Sequence, residues 1–323
     1  MNDAAPPGNT PPGNTPAVSV LMCAYNAERY VAATVRSVLG QTLRELEFVA
    51  VDDGSTDRTA EVLRGFAAGD DRMRVVSGPN VGIPRAANVG LRACRGELVA
   101  RIDADDLAEP DRLARQVAFM AEHPEVVASG TSVTFIDEAD RRLTINRPPT
   151  DHEAIDDALM RGHCAIWNTS CVIRRGPFLS IDGYDEHFAT AEDVDAWLRL
   201  AEVGRLANLD APLHRYRLHD ASVSAADQTG NRALCREACE RAAERRGVAC
   251  RFEADEPWRP GADAGSRSAF YTRYGWWAHR LGEMATARHY ARRAIRHGGF
   301  AAEPWVLLAK SLRATRPTAG ETS

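Results

Sequence analysis

Four short apolar segments near the start of the chain alternate with amphipathic segments, and this alternation constrains the fold more than any other feature. Residues 18–23, 47–51, 73–76 and 98–102 are each typical of a strand that is buried within a sheet. Parallel strands need a crossover connection, which a helix usually provides. The alternation therefore predicts a parallel sheet with helices on both faces.

The segments after these strands carry apolar residues at helical spacing, together with signals for the start of a helix. The second predicted helix is expected to have its N-cap at Ser55 or Thr56. The third and fourth are expected to begin near Pro84 and Pro110, because proline is favoured in the first turn.

Acidic residues follow several of the predicted strands. Asp52 and Asp53 follow the second strand, and Asp103, Asp105 and Asp106 follow the fourth. Acids at these places suit turns and helix starts, but clustered carboxylate oxygens also suit Mg²⁺ or Mn²⁺. Ligands bind beyond the carboxyl ends of the strands in such sheets, so convergence of these acids on one rim favours a metal site.

The composition excludes several classes of function. The formal net charge of −5 gives no reason to expect a nucleic-acid partner. Lys310 is the only lysine, so a Walker-type phosphate loop is excluded. The seven cysteines form no CxxC pair and are interpreted as reduced core residues. No signal peptide or spanning segment is evident, so a cytoplasmic protein is expected, with peripheral attachment to the inner face of the membrane left open.

The remaining regions differ in character. Residues 1–16 repeat PPGNT and are predicted to be a disordered tail. Residues 126–219 are expected to hold short strands and one strong helix, and the chain beyond 224 to be helical. Trp277 and Leu281 begin a pattern that resembles a tetratricopeptide hairpin, with the tryptophan spacing one residue off. Since one such unit cannot bury its own face, it is expected to pack on the catalytic domain or on a partner, with Trp276 and Trp277 in its core. The helical part is a candidate site for a protein or membrane partner.

Six motifs occur together in order: AYNAE, VDDGSTD, N-x-G-I-x-R-A-x-N-x-G, DADDLAEPDRL, GYDEHF followed by EDVDAWLRL, and YRLHDASVS. In this order and spacing they resemble the inverting family 2 glycosyltransferases over residues 17–224. The resemblance implies an α/β fold of the glycosyltransferase A type, a mostly parallel sheet flanked by helices, with residues 225–323 as a helical extension.

The resemblance also implies a divalent cation, Mn²⁺ or Mg²⁺, at the D-x-D sequence formed by Asp103, Ala104 and Asp105. Asp105 is the expected metal ligand, Asp103 reaches the ribose or the metal, and His219 is a further candidate ligand. A cation at this place neutralises the charge of a departing nucleoside diphosphate.

Other positions correspond to the donor site of the family. The base and ribose are expected near Ala24, Tyr25, Glu28, Asp52 and Asp53. Arg85, Asn88 and Arg217 correspond to positions close to the nucleoside or diphosphate. A nucleoside-diphosphate sugar, first of all a UDP-sugar, is the donor implied, although the D-G-S-T-D sequence is also a good turn.

The resemblance identifies Asp193 as the general base that takes the proton of the acceptor hydroxyl. Glu192 is expected to be its structural or acceptor-binding neighbour. An acid at this place also favours a helix N-terminus without catalysis, so the capping alternative stays open.

Three other classes of protein share parts of this pattern. A dinucleotide-dependent reductase needs a glycine-rich turn after the first strand, and CAYNAERY has no glycine. A nucleotidylyltransferase needs a glycine-rich basic loop there. A non-catalytic sugar-nucleotide-binding or scaffold protein is the remaining alternative, although both acidic motifs are intact. The resulting prediction is a metal-dependent transferase acting on a hydroxyl acceptor in polysaccharide, glycolipid or glycoconjugate assembly.

Overall fold

The computed structural model describes residues 15–219, 228–254, 263–298 and 301–313. The strands are β1 Val18–Ala24, β2 Leu46–Asp53, β3 Met73–Gly78, β4 Leu98–Asp103, β5 Leu107–Ala108, β6 Val126–Ile136, β7 Arg142–Asn146, β8 Val172–Arg174 and β9 Arg205–Arg217. The helices are α1 Val31–Leu39, α2 Thr59–Ala67, α3 Ile83–Ala93, α4 Arg112–Glu122, α5 His152–Met160, α6 Arg175–Ser180, α7 Glu192–Leu200, α8 Gln228–Arg246, α9 Ala264–Arg280, α10 Met284–Gly298 and α11 Ala302–Arg313. A turn of 3₁₀ helix covers Asn168–Ser170.

The strands of the described chain form one mixed sheet in the order β3-β2-β1-β4-β8-β6-β9-β5, with β7 paired to β6. The first four strands in this order are parallel, as the sequence predicts. Beyond β4 the sheet changes, because β8 is antiparallel to both β4 and β6. The first half of the sheet is therefore parallel, and the second half is mixed.

Helices cover both faces of the sheet, so its strands are buried on both sides. In β1, Val20 and Met22 belong to one apolar cluster, whereas Leu21 between them belongs to the other. All three are at most 2% exposed. A strand buried on both faces loses the polar alternation of a surface strand, which explains its unbroken apolar sequence.

Two details differ from the sequence-based predictions. Helix α2 begins at Thr59, not just after Ser55 or Thr56, because the intervening residues form a turn tied to the β1–α1 loop. The strands of the second half are not all short, since β6 and β9 have 11 and 13 residues and pair in parallel. The elements of this half do not alternate regularly between strand and helix, so the sequence pattern did not predict the length of β6 and β9.

The C-terminal helices pack on the sheet domain. Helix α8 contributes Ala238, Cys239, Ala242 and Ala243 to the larger of the two sheet cores. Helices α9 and α10 form an antiparallel hairpin whose Tyr274 and Tyr290 pack with Val133 and Phe135 of β6. Trp276 and Trp277 are partly buried against these clusters. Most of residues 1–16, predicted as a tail, lies outside the described residues.

Among the described helices, none combines the length and apolar character needed to cross a bilayer. The seven cysteines are all unpaired, and Cys94, Cys171 and Cys239 are buried.

Candidate active site

The register of the parallel strands brings the predicted acids to one rim. Ala24 pairs with Asp52 across β1 and β2, and Cys23 pairs with Asp103 across β1 and β4. The carboxyl ends of three neighbouring strands therefore present Ala24, Asp52 and Asp103 side by side, which is where an open α/β sheet binds its ligands.

Asp52 and Asp53 are both nearly buried but make different contacts. Asp52 accepts a hydrogen bond from the Ser55 N–H at 3.2 Å. Both carboxylate oxygens of Asp53 accept backbone N–H groups of the loop before α3, from Val81 at 2.8 Å and Gly82 at 3.0 Å. Asp53 thus holds the loop, which leaves Asp52 as the acid of the pair with capacity for a ligand.

The β1–α1 loop is fixed by a residue that the sequence analysis did not single out. The side-chain Oδ1 of Asn26 accepts the Thr56 N–H at 2.8 Å, and the backbone N–H of Asn26 donates to Ser55 Oγ. Glu28 accepts from the Arg58 N–H, whereas the neighbouring Tyr25 ring is 50% exposed at the rim. Tyr25 is therefore open to a ligand, and Glu28 is already engaged with the next loop.

Asp103, Asp105 and Asp106 lie in three distinct environments. The side chains of Asp103 and Asp105 are 43% and 27% exposed, respectively, whereas Asp106 is buried. Asp106 accepts three hydrogen bonds, from Thr169 Oγ1, His214 Nε2 and the Arg217 N–H, at 2.7, 3.0 and 2.7 Å. Asp106 is thus an internal anchor that holds β9 beside the D-x-D sequence, and only the other two acids face a ligand.

The tail of β9 closes the other side of the D-x-D sequence. His219 Nε2 lies 2.7 Å from Asp105 Oδ2, so this pair is brought together as the sequence predicts. Arg217, predicted to contact the diphosphate, lies against the backbone beside the acidic motif. Its guanidinium is 2% exposed and donates to the carbonyl oxygens of Asp105 and Asp137 at 2.7 and 3.0 Å. Arg217 therefore fixes the backbone of the acidic motif at Asp105.

Asp103 lies in a recess that raises its pKa to about 6. Removal from bulk water is the main cause, and the Asp105 and Asp193 carboxylates raise the pKa further by repulsion. The Arg101 guanidinium opposes these effects. A partly exposed carboxylate whose charge is poorly compensated by protein is suited to bind a cation.

Helix α7 begins at the other side of this recess. Ala191 before it has a left-handed φ of 65°, a strained conformation for a residue other than glycine, and this turn directs Glu192 and Asp193 toward the acids. Burial and the neighbouring Asp193 raise the pKa of Glu192 to about 8. Burial also raises the pKa of Asp193, while the Val194 N–H at 2.8 Å and Arg101 favour its ionised form. Glu192 is therefore an acid whose ionisation is disfavoured by burial and by its neighbour Asp193.

Arg101 is the central cation of the site and was missed by the sequence analysis. It is 1% exposed, and its Nη2 lies 3.8 Å from Asp103 Oδ1. Its charge acts on Asp103, Glu192 and Asp193, and it lies over the ring of Tyr184 at 5.6 Å. The sequence hides this residue because an arginine inside an apolar strand has no motif of its own.

Arg85 and Asn88, predicted near the nucleoside or diphosphate, lie on α3 and face residues 183–186. The Asn88 side chain is nearly buried and exchanges two hydrogen bonds with the backbone of Tyr184, at 2.8 and 3.0 Å. Arg85 is exposed and pairs with Glu186 at 2.8 Å. Asn88 is therefore occupied in joining two segments of the fold, whereas Arg85 is free to exchange a surface partner for a ligand.

The rim has a donor set that suits Mg²⁺ or Mn²⁺ with few protein ligands. Asp103, Asp105 and His219 offer carboxylate and imidazole donors, and substrate phosphates and water usually complete such a shell. Within the described residues no three His, Cys, Asp or Glu side chains are arranged to hold an ion by themselves. The donors thus fit a cation that is shared with a phosphorylated ligand.

Comparison with solved structures defines the class of fold. The chain is similar to the TarS protein of S. aureus bound to UDP-GlcNAc, with a TM-score of 0.58, 16% identity, and coverage of 92% of this chain and 87% of that one. It is also similar to a mannosyltransferase of Pyrobaculum calidifontis in complex with GDP-Man and Mn²⁺, with a TM-score of 0.52, 20% identity, and coverage of 97% and 84%. The fold is therefore that of a glycosyltransferase of the A type, with a helical C-terminal region.

Comparison of sequences defines the family. Residues 19–181 match Glycosyl transferase family 2. An uncharacterized glycosyltransferase of Haemophilus influenzae is 31% identical over 217 residues, which cover 64% of this chain and 67% of that protein. Chondroitin synthase of Escherichia coli is 30% identical over 214 residues, which cover 64% of this chain but 30% of the synthase. The chain belongs to glycosyl transferase family 2 and is a glycosyltransferase.

Proposed function

We propose that this enzyme is a metal-dependent, inverting glycosyltransferase that moves a sugar from a nucleoside-diphosphate sugar to a hydroxyl acceptor. The observation that carries the proposal is the placement of two acidic pairs around Arg101. Asp103 and Asp105 lie on the donor side, and Asp193 lies close enough for its charge to raise the pKa of both Asp103 and Glu192.

The donor side combines an acid for the nucleoside with acids for a cation. Asp52 is free to accept a hydrogen bond from a ring N–H, such as N3 of uracil, beside the exposed Tyr25. Asp103 and Asp105, with His219, would hold Mn²⁺ or Mg²⁺, which stabilises the negative charge of the departing diphosphate. The fold relatives were solved with UDP-GlcNAc or with GDP-Man, which supports a sugar nucleotide, with a UDP-sugar as the first donor to test.

The acceptor side supplies one base. Asp193 takes the proton of the acceptor hydroxyl as that oxygen attacks the anomeric carbon. Glu192, whose pKa is raised to about 8, is assigned the role of a protonated structural or acceptor-binding neighbour of Asp193. No second carboxylate is needed as a nucleophile, so one displacement follows, and an α-linked donor gives a β-linked product.

The relatives point to the biological setting. They include chondroitin synthase, hyaluronan synthase of Pasteurella multocida and a glycosyltransferase of amylovoran biosynthesis in Erwinia amylovora. The proposal therefore extends to assembly of a polysaccharide or related glycoconjugate. We also propose that the enzyme is cytoplasmic and acts at the inner face of the membrane, to which its helical region attaches peripherally.

Two measurements test this function. The purified chain is screened with UDP-, GDP- and dTDP-sugars for release of nucleoside diphosphate in Mn²⁺, in Mg²⁺ and in EDTA. Metal-dependent release with one donor is expected, and the anomeric configuration of the product is then determined by NMR. A retained configuration contradicts the single displacement, and binding without turnover for every donor and acceptor indicates a sugar-nucleotide-binding protein.

A further inference from the structure

Helix α10 carries a strongly basic pocket that the proposed reaction does not use. The pocket has a volume of about 560 Å³ and lies between α10 and the turn before β7. Besides two small residues, its lining consists of five arginines and one histidine. These six residues are Arg141, Arg288, His289, Arg292, Arg293 and Arg296. No residue that lines it in the described chain is acidic.

Three of the arginines are held in place by neighbouring oxygens. Arg141 donates to Asp137 Oδ2 at 2.7 Å, Arg288 to the Ser311 carbonyl at 3.0 Å, and Arg293 to the Tyr271 hydroxyl at 2.9 Å. A guanidinium has five N–H donors, so one such bond fixes the group and leaves donors for a ligand. These side chains are therefore pre-organised, which lowers the entropic cost of binding.

The other basic groups are uncompensated. Arg292 and Arg296 are exposed and make no hydrogen bond or ion pair with the described residues. The Nε2 atom of His289 is buried and has no hydrogen-bond partner in the described structure. Burial and the charges of Arg141 and Arg293 lower the pKa of this histidine. Like charges four positions apart on a helix are destabilising, so an anion in this pocket would relieve a repulsion built into α10.

From this geometry we propose that the pocket is a binding site for a phosphate-bearing ligand with two or more negative charges. Arginine recognises phosphate through paired N–H donors, and several guanidinium groups around one cavity suit several oxyanions. The site is distinct from the D-x-D rim, because none of its lining residues belongs to that rim.

The probe is inorganic tripolyphosphate, which is titrated into the full chain by calorimetry. The buffer contains about 150 mM NaCl to screen non-specific electrostatic attraction. It also contains EDTA, so that binding through a metal ion does not contribute. Saturable binding with one ligand per chain is expected. The double variant Arg292→Gln/Arg296→Gln should weaken it at least tenfold. The matched control Arg273→Gln/Arg280→Gln removes the same charge from exposed positions of α9 and should bind normally. In the unmodified chain, tripolyphosphate should also protect the pocket arginines from phenylglyoxal, as measured by mass spectrometry.

A second arm separates a lipid headgroup from a soluble source of the phosphate, by co-sedimentation with vesicles of phosphatidic acid and phosphatidylcholine. Vesicle binding that is lost only in the Arg292→Gln/Arg296→Gln variant identifies a lipid headgroup as the source of the phosphate. Tripolyphosphate binding without vesicle binding identifies a soluble phosphate-bearing ligand. Absence of binding in both arms, or equal loss in both double variants, overturns the proposal.

Discussion

At the scale of single residues, the acids of the DADD sequence differ by what surrounds them, not by their chemistry. Asp106 is fixed by three donors, and Asp105 is held through its carbonyl by Arg217 and through its carboxylate by His219. Asp103 is left with a long contact of 3.8 Å to Arg101. Asp103 and Asp105 are therefore available to a ligand, whereas Asp106 stabilises the site.

Asp105→Ala should abolish transfer and weaken sugar-nucleotide binding in Mn²⁺ or Mg²⁺, since a cation would lose its main carboxylate. The fold should persist, because Asp105 is partly exposed and Arg217 still has the backbone carbonyl. Steady-state rates and calorimetry measure the two effects. Asp71→Asn, an exposed acid remote from the rim, is the control, and full activity of Asp105→Ala in EDTA would contradict the metal site.

Glu192 gives a prediction on pH. Its folded-state pKa is about 8, above the ordinary value of 4.5, because of burial and of Asp193 and Asp103, with Arg101 opposing. The folded state then binds more protons than the unfolded state between about pH 4.5 and 8, so stability falls as the pH rises through this window. Glu192→Gln removes this loss. Its melting temperature should exceed that of the unmodified chain by about 2–6 °C at pH 8.5 and differ little at pH 5. Equal differences at both pH values would show that Glu192 is ionised in the folded state.

At the scale of elements, helix α7 carries the proposed catalytic base, Asp193, and a structural acid, Asp195, within three positions. Asp193 lies at the recess, whereas Asp195 is 2% exposed and pairs with Arg199 at 2.6 Å. Arg199 in turn donates to the carbonyl oxygens of Ile181 and Gly183. Asp195 thus ties α7 to the segment that packs on α3.

Asp193→Asn should lower the transfer rate by roughly 10²–10⁴ with donor binding nearly unchanged, because it keeps the shape of the base and removes its basicity. Asp195→Asn is the matched variant. It should lower the free energy of unfolding by about 1–3 kcal/mol through the weakened ion pair, with a smaller effect on the rate. If Asp193→Asn transfers normally, the base is Glu192 or another acid, and Asp193 only favours the helix start.

The elements also show what the sequence could and could not predict. The ends of β2 and β4 were predictable, because an apolar run stops there at an acid and parallel strands align their ends. The contact of Asp106 with His214 was not, since 108 positions separate them and His214 lies in a strand without a motif. Arg101 and Thr169 were missed for the same reason. The contacts of Arg217 with the carbonyl oxygens of Asp105 and Asp137 were not predictable either, because a motif gives a position along the chain and not the direction of a side chain.

At the scale of the whole molecule, the helical extension and the sheet domain share both packing and polar contacts. The Tyr290 hydroxyl of α10 donates to Asp137 Oδ2 at 2.7 Å, and the Asp137 carbonyl accepts from Arg217, which holds Asp105. Three contacts thus connect the hairpin to the acidic motif. The resemblance to a tetratricopeptide unit predicts a hairpin that packs on the catalytic domain or on a partner, and in the structure the hairpin packs on β6.

Removal of the chain after residue 224 should therefore damage the catalytic domain. The truncation uncovers the side of the larger core that Ala238, Cys239 and Ala242 of α8 cover, and it exposes Val133 and Phe135 of β6. Contiguous apolar surface of this kind promotes aggregation, so we expect lower solubility and a lower melting temperature. Tyr290→Phe in the full chain is the control. It keeps the packing and loses one hydrogen bond to a carboxylate, at a cost of about 1–3 kcal/mol. If the truncated chain melts cooperatively at the temperature of the full chain, the helices are an independent module, and the route from Tyr290 to Asp105 has no effect on the stability of the site.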